Sequence, residues 1–318
     1  MTTQITNTNH NNLPAIHMHH PSGSTLLVYL FGAHIASWTT FNDQEVIFMS
    51  KSAVFDGKTP IRGGIPIAFP QFGGGTLPSH GFARRSVWTF HSHSNNTLIL
   101  SLKDSASTRD MWNDNQFQLL YTITLESNSI TTSLNVENTG SKSFNFQALL
   151  HTYFHLADIS QASVEGLSGQ TYLDSLADRT PIVQSENEAL TFTQETDRIF
   201  RNAPTHVQLN GLALLKKARK EKSSTAAKEC VDENKSKQGG SVTIDINIQG
   251  GSGNNDVVVW NPWIDKSKRM ADLSDEEYHN FCCVEPGYVI DWETLNSGET
   301  YTISQTLSVL DTAGETKL

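Results

Sequence analysis

Three cysteines in 318 residues leave little to cross-link: Cys282 and Cys283 are adjacent, and Cys230 sits in a polar stretch. That pattern is no disulfide framework, and a reducing compartment such as the cytoplasm is the expected setting. No apolar run approaches the roughly 20 residues that cross a bilayer. The first 14 residues are polar and rich in Asn and Thr, without the basic and apolar segments of a secretory leader. GxxxxGK[ST] is missing, and Gly73–Gly75 lacks the spacing of a dinucleotide fingerprint and reads as a turn. HExxH, CxxC and GxSxG are missing too, so metalloprotease, dithiol and serine-hydrolase chemistry have no motif to stand on. His17, His19 and His20 have no Cys or carboxylate near them in sequence and read as sheet-edge histidines. No metal and no cofactor is expected.

Basic residues are also scarce. Lys and Arg number 23 against 33 Asp and Glu, a net charge of −10. A surface of that sign disfavours nucleic acid, whose phosphates need basic contacts. Any anion this chain binds requires a local concentration of its few cations. With 37% hydrophobic and 18% charged residues, the chain is neither membrane-like nor disordered as a whole.

Strand patterns dominate what is present. Phe117, Leu119, Tyr121, Ile123 and Leu125 fall on one face of a strand. Ile130 to Val136, Phe144 to Leu150, Val242 to Ile248, and Tyr301 to Val309 (with Gln305 in the stripe) alternate in the same way. Turns of Gly, Asn, Asp and Ser separate them, and no sustained 3.6-residue periodicity appears, so an all-β sandwich is expected. Residues 216–240 are polar with almost no large apolar side chain, and read as a flexible insertion between strands of one domain spanning 1–318.

Three segments are unusual for a plain sandwich. Residues 59–85 are dense in Gly and Pro and carry Arg62, His80, Arg84 and Arg85. Glycines let backbone approach a ligand closely, and the guanidinium fork fits phosphate oxygens. A structural loop with solvated arginines is the competing reading. On a strand, His151 shares a face with Gln147, Leu149 and Tyr153, where it is either an acid–base group or a hydrogen-bonded structural histidine. Glu285 follows an apolar strand and precedes Pro286 and Gly287, as a capping acceptor or a base. Trp260 and Trp263 are either a sugar-stacking wall or core.

Taken together, the stretches RGGIPIAFPQFG, LPSHGFAR, LLHTYFHL, FTQETDRIF, VVVWNPWIDKSKRMADL and CCVEPGYV resemble the hexose-6-phosphate mutarotase branch of the aldose 1-epimerase family, in family order across most of the chain. Ser79 stands where the resemblance leads one to expect Gln, which bears on one substrate hydrogen bond and not on the chemistry. The resemblance implies a galactose-mutarotase-like β-sandwich with its active site in a cleft on one sheet face. It implies His151 as general acid and Glu285 as general base, Arg62 and Arg84 on the phosphate, and His80 and Asp197 lining the sugar site. Arg85, Lys266 and Lys268 are further candidate phosphate contacts.

The implied reaction interconverts α and β anomers of a hexose 6-phosphate without a cofactor, in a monomer that binds neither nucleic acid nor membrane. It needs a protonated His151 opposite an ionised Glu285, and the carboxylate charge is expected to favour imidazolium. A free-aldose epimerase of the galactose type is one alternative; clustered cations in an acidic chain argue against it. A non-catalytic carbohydrate-binding module on the same fold is another, and has no use for His151 paired with Glu285.

Overall fold

The computed structural model describes residues 2–213, 240–251 and 253–310. The segment read as an insertion, 216–240, lies outside the described residues except for Gly240, which opens a strand.

Period-two burial governs the architecture. In Phe117–Leu125 and Ser129–Asn138 every second side chain is buried, and Thr300–Leu310 alternates likewise. Side chains on successive strand residues point to opposite faces, so each such strand offers one apolar face. These strands form the middle of a nine-stranded sheet that runs from Leu190–Thr191 at one edge to Thr89–Ser94 at the other. A second sheet, of eight strands, is built around the long strand Phe281–Leu295, which pairs antiparallel with Asp256–Asn261 on one side and with Phe144–Leu150 and Tyr153–His155 on the other. A four-stranded meander, Gln4–His10 through His34–Thr39, completes the chain's sheets among the described residues.

The main core lies between the two large sheets. Phe117, Tyr121, Leu134 and Ile303 come from the nine-stranded sheet and meet Phe146, Leu150, Val259 and Val284 from the eight-stranded one. Each large side chain buried this way contributes about 1.5–3 kcal/mol. The opposite face of the eight-stranded sheet carries a separate cluster that includes Leu149, Tyr153, Val258, Trp260, Phe281 and Cys283. The same strands therefore feed the core with one set of residues and a cleft with the next.

Two short helices, Ala106–Met111 and Trp263–Ser267, were not legible as periodicity. Neither is long enough to show a 3.6-residue stripe. The first is fixed instead by a capping box between Ser105 and Thr108.

Gln305, the polar member of an apolar stripe, is fully buried. Its side-chain amide donates to Thr152 Oγ1 (2.8 Å), and the Thr152 hydroxyl lies 3.1 Å from its carbonyl oxygen. This polar strut crosses the core from one large sheet to the other, directly beneath residue 151.

Candidate active site

Register brings the two titratable groups together. Leu149 faces Gly287 and Tyr153 faces Cys283 across the same strand pair. Counting two residues inward from either end sets His151 opposite Glu285. The ladder opens between those points: the His151 N–H donates to the Pro66 carbonyl (2.9 Å), and the Thr152 N–H turns back to Leu150 (3.0 Å). His151 Nδ1 lies 3.2 Å from Glu285 Oε1. The angle falls short of a hydrogen bond, so Nδ1 and both carboxylate oxygens have no aligned partner. Both residues are nonetheless buried, Glu285 to 1% exposure and His151 to 7%. Buried polar groups are normally paired, and three orphaned atoms converging on one spot mark a place built for something else to bind.

Aromatic rings form the walls. The His151 imidazole stacks on Tyr153 at 4.8 Å and 8°, and meets the edge of Trp260 at 5.9 Å. Trp260 is thus on the cleft face, whereas Trp263 packs toward the main core and against Tyr278.

The Gly- and Pro-rich segment supplies the cations. Gly64 has φ of +70°, and a Cβ there would collide with His34 and the Ile35 carbonyl. Gly81, also at +70°, packs directly on the Phe69 carbonyl. Only glycine permits these close approaches, and they carry Arg62 and Arg84 toward the pair. Arg62 Nη1 donates to the Tyr153 hydroxyl (2.9 Å) while Nη2 pairs with Asp272 (3.1 Å). Arg84 Nη2 donates to the Ser79 carbonyl (2.8 Å), and its Nε is buried without a partner. Ser79 therefore positions Arg84 through its backbone. The His80 ring sits between Phe72 (5.0 Å) and His151 (5.6 Å). Its Nδ1 accepts from the Gly73 N–H (3.4 Å), which leaves Nε2 to carry the proton.

Asp197 lies on Thr196–Phe200, paired in register with Trp260, and faces Lys266 at 3.8 Å. Lys266 also pairs with Glu195 at 3.0 Å. Its charge is thus held on the carboxylate side of the cleft, away from Arg62 and Arg84. Arg85 is exposed and reaches only the Lys58 carbonyl (3.5 Å). Lys268 caps the short helix Trp263–Ser267.

Burial dominates the electrostatics of the pair. Burial, followed by its neighbours His80, Arg84 and Arg62, holds the His151 imidazole well below its ordinary 6.5. Burial, followed by repulsion from Asp197, pushes the Glu285 carboxyl well above 4.5. Burial therefore works against charge on both members of the pair. His80 and His34 are both pushed down to about 3, by burial and then by Arg84. Burial alone would lower Arg62, but Tyr153 and Asp272 override it and raise it.

All six residues expected from sequence (His151, Glu285, Arg62, His80, Arg84 and Asp197) gather around one cleft. Sequence reasoning missed Asp272, His34 and Cys283. Cys283 was findable, since it lies two residues before Glu285 on the same strand and so shares its face. Its thiol, together with His151 and Glu285, sets three metal-competent atoms within 4.8 Å of one another. A separate cavity of about 660 Å³, lined by Phe82, Arg85, Val87, Lys103 and Met111, contains no acid–base pair.

The outer face of the eight-stranded sheet thus carries a buried His151–Glu285 pair with Arg62 and Arg84 beside it. The aldose 1-epimerase family matches residues 14–308, and the chain belongs to that family. A Cenchrus ciliaris protein named "Putative glucose-6-phosphate 1-epimerase" is 32% identical over 285 residues, covering 86% of this chain and 77% of that one. An Escherichia coli K12 protein of the same name is 29% identical over 287 residues, covering 88% and 85%. The crystal structure of a Salmonella typhimurium protein described as a "putative mutarotase" superposes with a TM-score of 0.78 at 26% identity, covering 98% of this chain and 94% of that one. The chain is an epimerase that interconverts sugar anomers.

Proposed function

We propose that this protein interconverts the α and β anomers of a hexose 6-phosphate, glucose 6-phosphate first among them, within a single mutarotase-like domain acting as a monomer in the cytoplasm. The observation that carries the reading is the convergence of Arg62 and Arg84 on the cleft that holds His151 and Glu285 3.2 Å apart. Free, buried Cys282 and Cys283 thiols support a reducing setting.

Ring opening moves two protons. The O1–H bond breaks as C1=O1 forms, the C1–O5 bond breaks, and O5 gains a proton. Glu285 takes the proton from O1 while His151 gives one to O5. Rotation about C1–C2 presents the other carbonyl face, and the same two groups reverse roles on closure. Each positioned acid or base contributes roughly 10²–10⁴-fold. The titration belongs to the pair and not to either member. His80 Nε2–H and the Asp197 carboxylate hold sugar hydroxyls. Arg62 and Arg84 grip the phosphate through charge-assisted hydrogen bonds. A free hexose leaves those guanidiniums to water and gains nothing from them, so selectivity appears mainly as affinity.

Anomer-exchange NMR with catalytic amounts of protein tests this directly. Exchange on glucose 6-phosphate at far lower substrate concentration than on galactose is the expected result. Equal efficiency on galactose makes the protein a free-aldose epimerase, and exchange on neither leaves a binding module.

A further inference from the structure

We infer that the cleft binds one zinc-class divalent cation through His151 Nδ1, Cys283 Sγ and the Glu285 carboxylate, and that this ion inhibits the enzyme by competing with sugar. The three atoms lie within 4.8 Å of one another, and all three residues are buried. Zinc bonds of about 2.0–2.3 Å in a tetrahedron put ligand atoms roughly 3.5 Å apart, so modest side-chain shifts complete the set. One imidazole, one thiolate and one carboxylate suit zinc or cobalt and not the oxygen-seeking magnesium or calcium. The fourth position faces the cleft, where water or a sugar oxygen fits.

Independent support comes from hydrogen bonding. His151 Nδ1 and both Glu285 oxygens are buried without aligned partners. Strand alternation puts Cys283 on their face and sends Cys282 into the main core. The nearby cations do not forbid a metal, because Asp272 already pairs with Arg62 and Asp197 adds negative charge beside Glu285. Binding releases the Cys283 thiol proton to solvent. It also ties up the Glu285 carboxylate and one nitrogen of His151, the two proton-transfer residues. That inhibition, though not the binding itself, rests on the function proposed above.

Cobalt(II) absorption on the full chain tests the site. The His17 and His19 rings lie 4.0 Å apart on the meander and are a competing binder, so the titration uses a His17→Ala/His19→Ala background. The expected spectrum shows one ion per chain, tetrahedral ligand-field bands and a sulfur-to-cobalt charge-transfer band. Cys283→Ser removes the charge-transfer band, Glu285→Gln weakens ion binding, and glucose 6-phosphate bleaches the whole spectrum. Absence of a stoichiometric spectrum, a charge-transfer band that survives Cys283→Ser, or bands indifferent to glucose 6-phosphate overturns the inference. Zinc added to the metal-free enzyme should abolish anomer exchange, and a chelator should restore it. Active enzyme without a cobalt spectrum overturns the metal site alone. A stoichiometric cobalt spectrum on a chain that exchanges no anomers once stripped of metal overturns the proposed function alone.

Discussion

Cys282 and Cys283 are one residue apart on one strand, and both are fully buried, yet they belong to different regions. Cys282 faces the sandwich core, in one cluster with Phe146, Leu150 and Val284. Cys283 faces the cleft with His151 and Glu285. Depth of burial is the same on the two faces of the sheet; the kind of polar atom left without an aligned partner is not. In the core these are hydroxyls such as those of Tyr121 and Tyr301, whereas on the cleft face they are the titratable Nδ1 of His151 and two carboxylate oxygens of Glu285. Buried polar atoms without partners cost free energy, so the cleft face carries instability that only a ligand removes.

Substitutions on the two faces should therefore fail differently. Glu285→Gln or His151→Ala should cut anomer exchange by roughly 10²–10⁴-fold while the fold survives, since each removes a proton carrier and little packing. Circular dichroism beside exchange NMR checks this, and retention of more than about a tenth of the rate in a folded variant sinks the assignment of that residue. On the core face, Phe146→Ala should cost about 3–5 kcal/mol of stability. The fraction that remains folded should keep its KM, and a denaturant titration with parallel kinetics reads both quantities. Arg84→Ala should raise KM for glucose 6-phosphate about tenfold or more, given roughly 1.5–3 kcal/mol for hydrogen bonds to a charged group. Its kcat should fall less, because the phosphate is remote from C1. An equal loss on free glucose means that the guanidinium does not meet phosphate.

The smallest effect is a pH signature. Glu285 is raised in the folded state, so above about 4.5 the unfolded chain loses a proton that the folded chain keeps, and stability falls as pH rises. His151 is lowered, so below about 6.5 the unfolded chain gains a proton that the folded chain does not, and stability falls as pH drops. Glu285→Gln removes only the first of these. Thermal melts should then show the variant gaining on wild type from pH 4 to pH 8; a constant difference refutes the raised Glu285.

Strand stripes were the most legible part of the chain, because alternation between a core and an outer face is written in single residues. Phe117–Leu125 and Phe144–Leu150 appear where the alternation placed them. His151, on a mixed polar strand face, and Glu285, after an apolar strand, were legible only as candidates with a structural alternative, as were Arg62 and Arg84 in their glycine-rich loop; the family resemblance assigned their roles. Asp272 was not legible, since nothing local distinguishes it from other acidic residues in a polar stretch; only the tertiary approach of Arg62 gives it a partner. The burial of the pair was illegible for a related reason, since it depends on walls contributed by Tyr153 and Trp260 from separate strands.

The Thr152–Gln305 strut ties the broken strand at His151 to the far sheet. Sandwich thickness thereby becomes a kinetic variable. A core substitution that lets the sheets settle closer together or farther apart drags residue 152, and with it the imbalance between His151 and Glu285 across 3.2 Å. Mutational drift in this core should consequently register in turnover as well as in melting temperature, and compensating changes should pair residues of the nine-stranded sheet with residues flanking the cleft.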